Sequence, residues 1–350
     1  MTRAFNKRLV LSTMGALLLI EALFMALATG VGFYYDEADQ SAFLVSTIIT
    51  LLGGVTGLVS GRHAPRQVGE REGYVIVALV WVVFSIFGLL PFYLSGQILT
   101  ITDAWFETMA GFTTTGSTVI PDVESLTRTA LFWRALTQWL GGLGIIVLCV
   151  ALLPMFGLGG MQLYAAEVTG VNYEKLSPRI ADTAKLLWGV YIFLTLAETL
   201  ILWFCDMTGF DALCHSMTTI ATGGFSTKNT SLMLYRPAVQ YVVGIFTFLS
   251  ALNFALIIHF LRGKPNRLLQ DEETRWYTRA VVVMGLVMTI GLAVFHGVRN
   301  EIWTGSAKEV LSLLEESFRI GFFTTVNAIT STGFAAADYM QWTPLLWVMV

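Results

Sequence analysis

Charge drops out of this chain in long blocks, and the blocks have the length of membrane crossings. Arg3, Lys7 and Arg8 precede an apolar run over residues 9–20, and apolar character resumes after Glu21 as far as Tyr35. Ala26-Leu27-Ala28 has the small-residue form of a signal-peptidase site, but the continuation to Tyr35 favours a retained helix. An acidic turn of Asp36, Glu37 and Asp39 leads into residues 40–61, which contain no Asp, Glu, Lys or Arg. Arg62, Arg66 and Arg71 form a basic loop, and residues 73–102 are again uncharged. Residues 135–166 carry no charge and predict a fourth crossing that ends near Pro154. Residues 186–205, 237–261 and 280–298 predict further crossings, and 342–350 begins another. About 20 apolar residues of helix span a hydrocarbon core of ~30 Å, so each complete block is long enough.

One segment between the crossings is too short to cross. Residues 103–112 read as a helix about 15 Å long, with Asp103 near its start where a carboxylate can cap free amides. A helix of half the membrane thickness must turn back at mid-depth. The turn is Thr113-Thr114-Thr115-Gly116-Ser117. Lipid forbids unpaired backbone groups there unless they line a wet cavity. Carbonyls lining a narrow wet path are how cation filters replace an ion's hydration shell.

The same pattern recurs. Asp211, Met217 and Gly224 repeat Asp103, Met109 and Gly116 at one constant offset. A third copy follows at almost the same offset again, where Thr330-Ser331-Thr332-Gly333-Phe334 matches Ala221-Thr222-Gly223-Gly224-Phe225. Units that begin and end on one side of a membrane are related by rotation about its normal, which predicts turns gathered around one path. Glycine at the shared place permits dihedrals closed to other residues.

Composition and charge sharpen this. At 55% hydrophobic, 13% charged and a mean hydropathy of +0.68, a soluble globular protein is excluded. The 32 glycines suit close helix packing in lipid. Cys149, Cys205 and Cys214 form no CxxC pair and read as small buried residues. Loops on the Arg3 side hold 14 of the 21 Lys and Arg, as groups of three, three, three and five, which predicts that this side is cytoplasmic. The opposite side holds 14 of the 24 Asp and Glu, which read either as an acidic outer mouth that concentrates cations or as ordinary solvated loops. No GxSxG or HExxH motif is present. His215 and Ser216, adjacent on a helix, point ~100° apart, which argues against an intramembrane hydrolase. A non-conducting scaffold would not need three glycines in register.

The segments FETMAGFTTTGSTV, QWLGGLGIIVL, MTTIATGGFST and VNAITSTGF resemble the Trk/Ktr/HKT potassium-uptake superfamily, most nearly its bacterial TrkH/TrkG branch. The resemblance covers essentially the whole chain. It implies an all-α polytopic membrane protein of repeated M1–re-entrant pore loop–M2 units around a pseudo-fourfold pore, preceded by two extra helices. The corresponding parts are an N-terminal extension at 1–72, pore repeat 1 at 73–156, a cytoplasmic or interfacial connector at 157–182, pore repeat 2 at 183–262, a cytoplasmic loop at 263–278, and pore repeat 3 at 279–350. A fourth turn at the same period would fall beyond residue 440, so the chain reads as part of a longer protein with the fourth repeat absent.

The expected function is potassium uptake across a bacterial inner membrane, with sodium-conducting or sodium-coupled transport as the alternative. The expected K+-binding residues are Thr113, Thr114, Thr115 and Gly116, then Ala221, Thr222, Gly223 and Gly224, then Thr330, Ser331, Thr332 and Gly333. No catalytic residue, transition-metal site or covalent cofactor is expected. The resemblance implies a homodimer in lipid with a cytoplasmic TrkA-like nucleotide-binding subunit, NAD or ATP acting only through that partner, and no nucleic acid. Members lacking the first filter glycine tend to pass sodium, so Gly116 favours potassium. Among isolated polar residues, Glu198 reads as a helix-contact carboxylate hydrogen-bonded to a neighbour, in preference to a pore-side or proton-linked carboxylate, and Glu21 stays ambiguous. Arg134 is expected to snorkel or to pair with a loop acid. Glu107 and His215 fall at one place in successive short helices, which suggests a shared bracing role.

Overall fold

The computed structural model describes residues 5–62, 70–142, 144, 180–299 and 306–348, and every regular element among them is helical. The later part of the fourth predicted crossing, most of the connector at 157–182 and Cys149 lie outside the described residues. The chain divides into two compact units, residues 1–189 and 190–350.

In the first unit, α1 (Lys7–Tyr35) and α2 (Gln40–Ser60) form an antiparallel hairpin. The expected acidic turn joins them, with Asp36 left-handed at φ +53. Their contact is made by small residues. A Cβ on Gly15 would lie 2.4 Å from the Leu58 amide nitrogen, and one on Gly57 would lie 2.8 Å from the Gly15 Cα. With no hydrophobic drive between helices in lipid, such backbone approach is what dispersion forces need. Next come α3 (Glu70–Gly88), α4 (Leu90–Leu94), α5 (Ile101–Phe112) and α6 (Arg128–Gly142). Pro91 lacks an N–H for the helical bond to the preceding turn, and the helix breaks just before it. The Gly88 carbonyl, next to this break, accepts from Trp133 Nε1 at 2.9 Å. Phe112 sits at the centre of this unit, edge-on to Phe84 at 5.5 Å and to Trp133 at 6.3 Å.

The second unit continues from α7 (Ile180–Phe204) with α8 (Gly209–Ile220), α9 (Pro237–Ser250), α10 (Phe254–Leu261), α11 (Pro265–Gln270), α12 (Glu272–Arg299), α13 (Ala307–Ile329) and α14 (Pro344–Trp347). Helices α1, α2, α7 and α12, together with the α3–α4 stretch from Arg71 to Leu94, are long and apolar enough to cross a membrane. The crossing expected over residues 237–261 is broken within its length. It is two helices bent by 103° at Ala251–Asn253. Asn253 is extended and its side chain accepts from the Ala255 amide at 2.9 Å, so it ends one helix and starts the next. At ~1.5 Å per residue, the 14 residues of α9 cover only about 21 Å.

Against this packing, Gly57→Leu should push α1 from α2, while Gly30→Leu, where nothing lies within 4 Å of the added Cβ, should not. Overpacking costs about 1–3 kcal/mol. The expected result is a lower melting temperature in detergent for the first variant alone, and equal melting would count against the small-residue contact.

Candidate functional site

The three turns singled out by the repeat each follow a helix, and two of those helices begin alike. Thr100 Oγ1 accepts from the Asp103 amide at 3.1 Å and donates to the Asp103 carboxylate at 2.6 Å. Thr208 and Asp211 repeat this at 3.1 and 2.9 Å. The cap is therefore the threonine, and the aspartate holds it, which corrects the expectation that Asp103 caps directly. The third helix departs from the plan. Capped by Ser306 and Glu309, α13 starts well before Ser317, the place matching Thr208.

The three helix ends share one backbone path. The amides of Thr113, Thr114 and Thr115 donate to the carbonyls of Met109, Gly111 and Ala110, each at 2.9 Å. In the second loop Ala221, Thr222 and Gly223 donate to Met217, Thr219 and Thr218 at 3.2, 2.9 and 2.9 Å. In the third, Thr330, Ser331 and Thr332 donate to Val326, Ala328 and Asn327 at 3.0, 3.1 and 2.9 Å. This crossed pair of bonds over a left-handed residue is a common helix stop, normally filled by glycine. Here Thr114, Thr222 and Ser331 occupy it, at φ +52, +51 and +52. The left-handed region costs a residue with a Cβ about 1–2 kcal/mol. Two residues later Gly116, Gly224 and Gly333 are also left-handed, at φ +74, +75 and +84.

Side chains brace the loops differently. Thr113 and Thr115 hydroxyls pair at 2.8 Å, and Thr330 and Thr332 at 2.6 Å. The matching residues Ala221 and Gly223 have no hydroxyl to offer. In the first loop, buried Glu107 reaches the outgoing arm, accepting from Thr118 Oγ1 at 3.0 Å and from the Val119 amide at 3.1 Å. Arg134 of α6 donates to the same carboxylate at 2.8 Å. In the second loop His215 Nδ1 meets the Asp211 carbonyl at 2.8 Å, so that nitrogen carries the proton. Its Nε2 then accepts from Ser226 Oγ at 2.9 Å, and Ser226 Oγ accepts from the Lys228 amide at 3.0 Å. Ser226 is the counterpart of Thr118 in the second repeat. The two bracing residues thus hold the same arm, and Arg134 pairs with a helix acid, not with a loop acid. At the third loop the arm is held by Asn327 Oδ1, which accepts from the Phe334 amide at 3.2 Å.

Within the second unit, loops two and three meet. A Cβ on Gly224 would lie 1.8 Å from the Thr332 carbonyl oxygen. Beyond them, the Leu232 amide donates to the Ala335 carbonyl at 3.0 Å, and the Ala335 amide donates to Ser231 Oγ at 3.2 Å. The first loop, in the other unit, is pressed by α6, where a Cβ on Gly141 would lie 1.9 Å from the Phe112 carbonyl oxygen. Glu21 and Glu198 are fully buried. Glu198 lies beside Thr219 without the well-formed hydrogen bond expected for it.

Two glycines with the same strained φ therefore differ in what surrounds them. Gly224→Ala collides with Thr332, whereas Gly333→Ala meets open space and suffers strain alone. The melting temperature should fall more for the first variant by several degrees, and equal falls would rule out the Gly224–Thr332 contact.

Comparison with known proteins agrees with this reading. The family model for TrkH, described as a cation transport protein, matches residues 39–350. The chain is 37% identical to the Trk system potassium uptake protein TrkH of Halomonas elongata, covering 96% of this chain and 67% of that one. It is 36% identical to TrkH of Escherichia coli strain K12, with 98% and 69% covered. Identity to the TrkG protein of the same strain is 34%, with 96% and 67% covered. The crystal structure of the potassium transporter TrkH from Vibrio parahaemolyticus superposes with a TM-score of 0.82 at 32% identity, covering 99% of this chain and 69% of that chain. With its helices, its three like turns and these relatives, the chain belongs to the TrkH family of membrane cation transport proteins and is not an enzyme.

Proposed function

We propose that the protein takes up potassium across a bacterial inner membrane through a filter of backbone carbonyls contributed by its re-entrant loops. The observation that carries this is the shared path of Thr113–Gly116, Ala221–Gly224 and Thr330–Gly333, left-handed at the same two places in each. An amide N–H cannot ligate a cation, and each loop ties its first three amides to its own helix, so what it can offer an ion is oxygen, from its carbonyls and its Thr and Ser hydroxyls. No acid or base lies within these stretches, so dehydration rests on several neutral oxygens at once. Such ligands suit a monovalent ion. Divalent ions would gain too little from them to offset their stronger hydration. Helices α5, α8 and α13 end at the loops, and the partial negative charge of a helix C-terminus favours a cation there.

The loops belong to M1–loop–M2 units placed around a pseudo-fourfold path. The protein works as a homodimer, and a cytoplasmic TrkA-like subunit supplies nucleotide control by NAD or ATP. The N-terminus is cytoplasmic and the loops open outward, as the basic residues argue.

Gly116→Ser, assayed in the complete gene product in vesicles, should lower rubidium uptake relative to sodium. The serine side chain disturbs carbonyl aim at a left-handed position, and an unchanged ratio would remove Gly116 from the filter. For orientation, a single cysteine at Gln270 should label only from the cytoplasmic side of sealed cells or vesicles. Labelling from outside alone would invert the topology.

A further inference from the structure

The first loop differs from the second in how its outgoing arm is fixed, and the difference is chemically complete. Glu107 and Arg134 are both buried, with side chains 0% and 3% exposed. The carboxylate joins three elements. It is carried by α5, it accepts from the arm through Thr118 Oγ1 and the Val119 amide, and it accepts from α6 through Arg134 Nε. The arm leaves the loop immediately after Gly116, so its distance from α5 sets where the loop's carbonyls stand. A charge-assisted bond is shorter and stiffer than a neutral one, and burial removes the water that would soften it.

In the second repeat both members change together. The place of Glu107 holds His215, and the place of Arg134, at the same offset, holds Val242. A neutral imidazole needs no cation behind it, and it still reaches the same arm at Ser226. In the third repeat the place of Glu107 holds Thr324, and that of Thr118 holds Ala335. There the arm is tied through Asn327 and Ser231.

We propose that the Glu107–Arg134 pair is a positioning device that sets the ion discrimination of the first loop, with the second loop using a neutral equivalent. The proposal rests on the filter reading above. Glu107 touches no ion; it acts through Thr118 and Val119. A role confined to stability would lower the amount of folded protein without changing which ion passes.

The test compares rubidium and sodium uptake in vesicles, using the complete gene product. Glu107→Gln keeps the shape and an acceptor for the arm but loses the charge that holds Arg134. It should lower the rubidium-to-sodium ratio about tenfold in protein that remains folded by size-exclusion profile. Glu107→His with Arg134→Val imports the second repeat's chemistry and should restore most of the ratio. If E107Q selects as the native protein does, or if the double variant folds but selects no better than E107Q, the proposal is overturned. Should E107Q fail to fold, the double variant decides alone, a near-native ratio supporting the proposal and a collapsed one overturning it. Absence of rubidium uptake by the native protein would instead defeat the filter reading itself.

Discussion

A helix end leaves its last carbonyls without intrahelical partners, and the three loops of this protein are built around closing such ends. Helices α5 and α8, at 12 residues each, are about 18 Å long, short of the ~30 Å hydrocarbon core of a bilayer. Their ends, and that of the longer α13, are closed by the crossed amide bonds of a left-handed stop, which satisfies two carbonyls per helix and turns the chain at once. The closure puts Thr114, Thr222 and Ser331 in a conformation they resist. Surrounding contacts must hold them there, since backbone strain persists only when it is over-determined. The hydroxyl pairs, the Glu107 and His215 struts, and the close approach of Gly141 to Phe112 supply that restraint.

Much of this was legible in the sequence, for a definite physical reason. Uncharged blocks of crossing length are readable because a charge in lipid is expensive, so both ends of α2 fall beside charged residues, whereas α12 starts eight residues before its uncharged block and runs through Arg275 and Arg279. The loops were legible because Gly116, Gly224 and Gly333 keep a nearly constant spacing, as a repeated left-handed backbone turn requires. The second left-handed position in each loop was not. Threonine ordinarily avoids it, and nothing local at Thr114 or Thr222 distinguishes them from their neighbours. Nor was the bend at Ala251–Asn253 visible. That stretch contains no proline, and its one polar side chain acts by capping the following helix.

Arg134 and Glu107 show another limit. Each was conspicuous alone, since a formal charge within or beside an apolar block demands a partner. Which partner it takes depends on how α6 lies against α5, and that follows from small residues such as Gly141. Removing one member of a buried pair costs about 3–5 kcal/mol because it strands the other. Replacing both by well-matched neutral groups can be nearly neutral, and the exchange to His215 and Val242 in the second repeat has that character.

The repeats thus hold the backbone path constant while their supports vary. Hydroxyl pairs brace loops one and three, a charged strut holds the first arm, an imidazole the second, and Asn327 with Ser231 the third. That division follows from where the chemistry resides. In the proposed filter, an ion that exchanges water for backbone carbonyls responds to oxygen positions and not to the residues behind them. Any support that fixes those oxygens serves, so the supports are free to differ among copies. Substitutions at the left-handed glycines act on the oxygens directly, through φ. On the same proposal, substitutions at the struts act through the outgoing arm and are the finer control over that geometry.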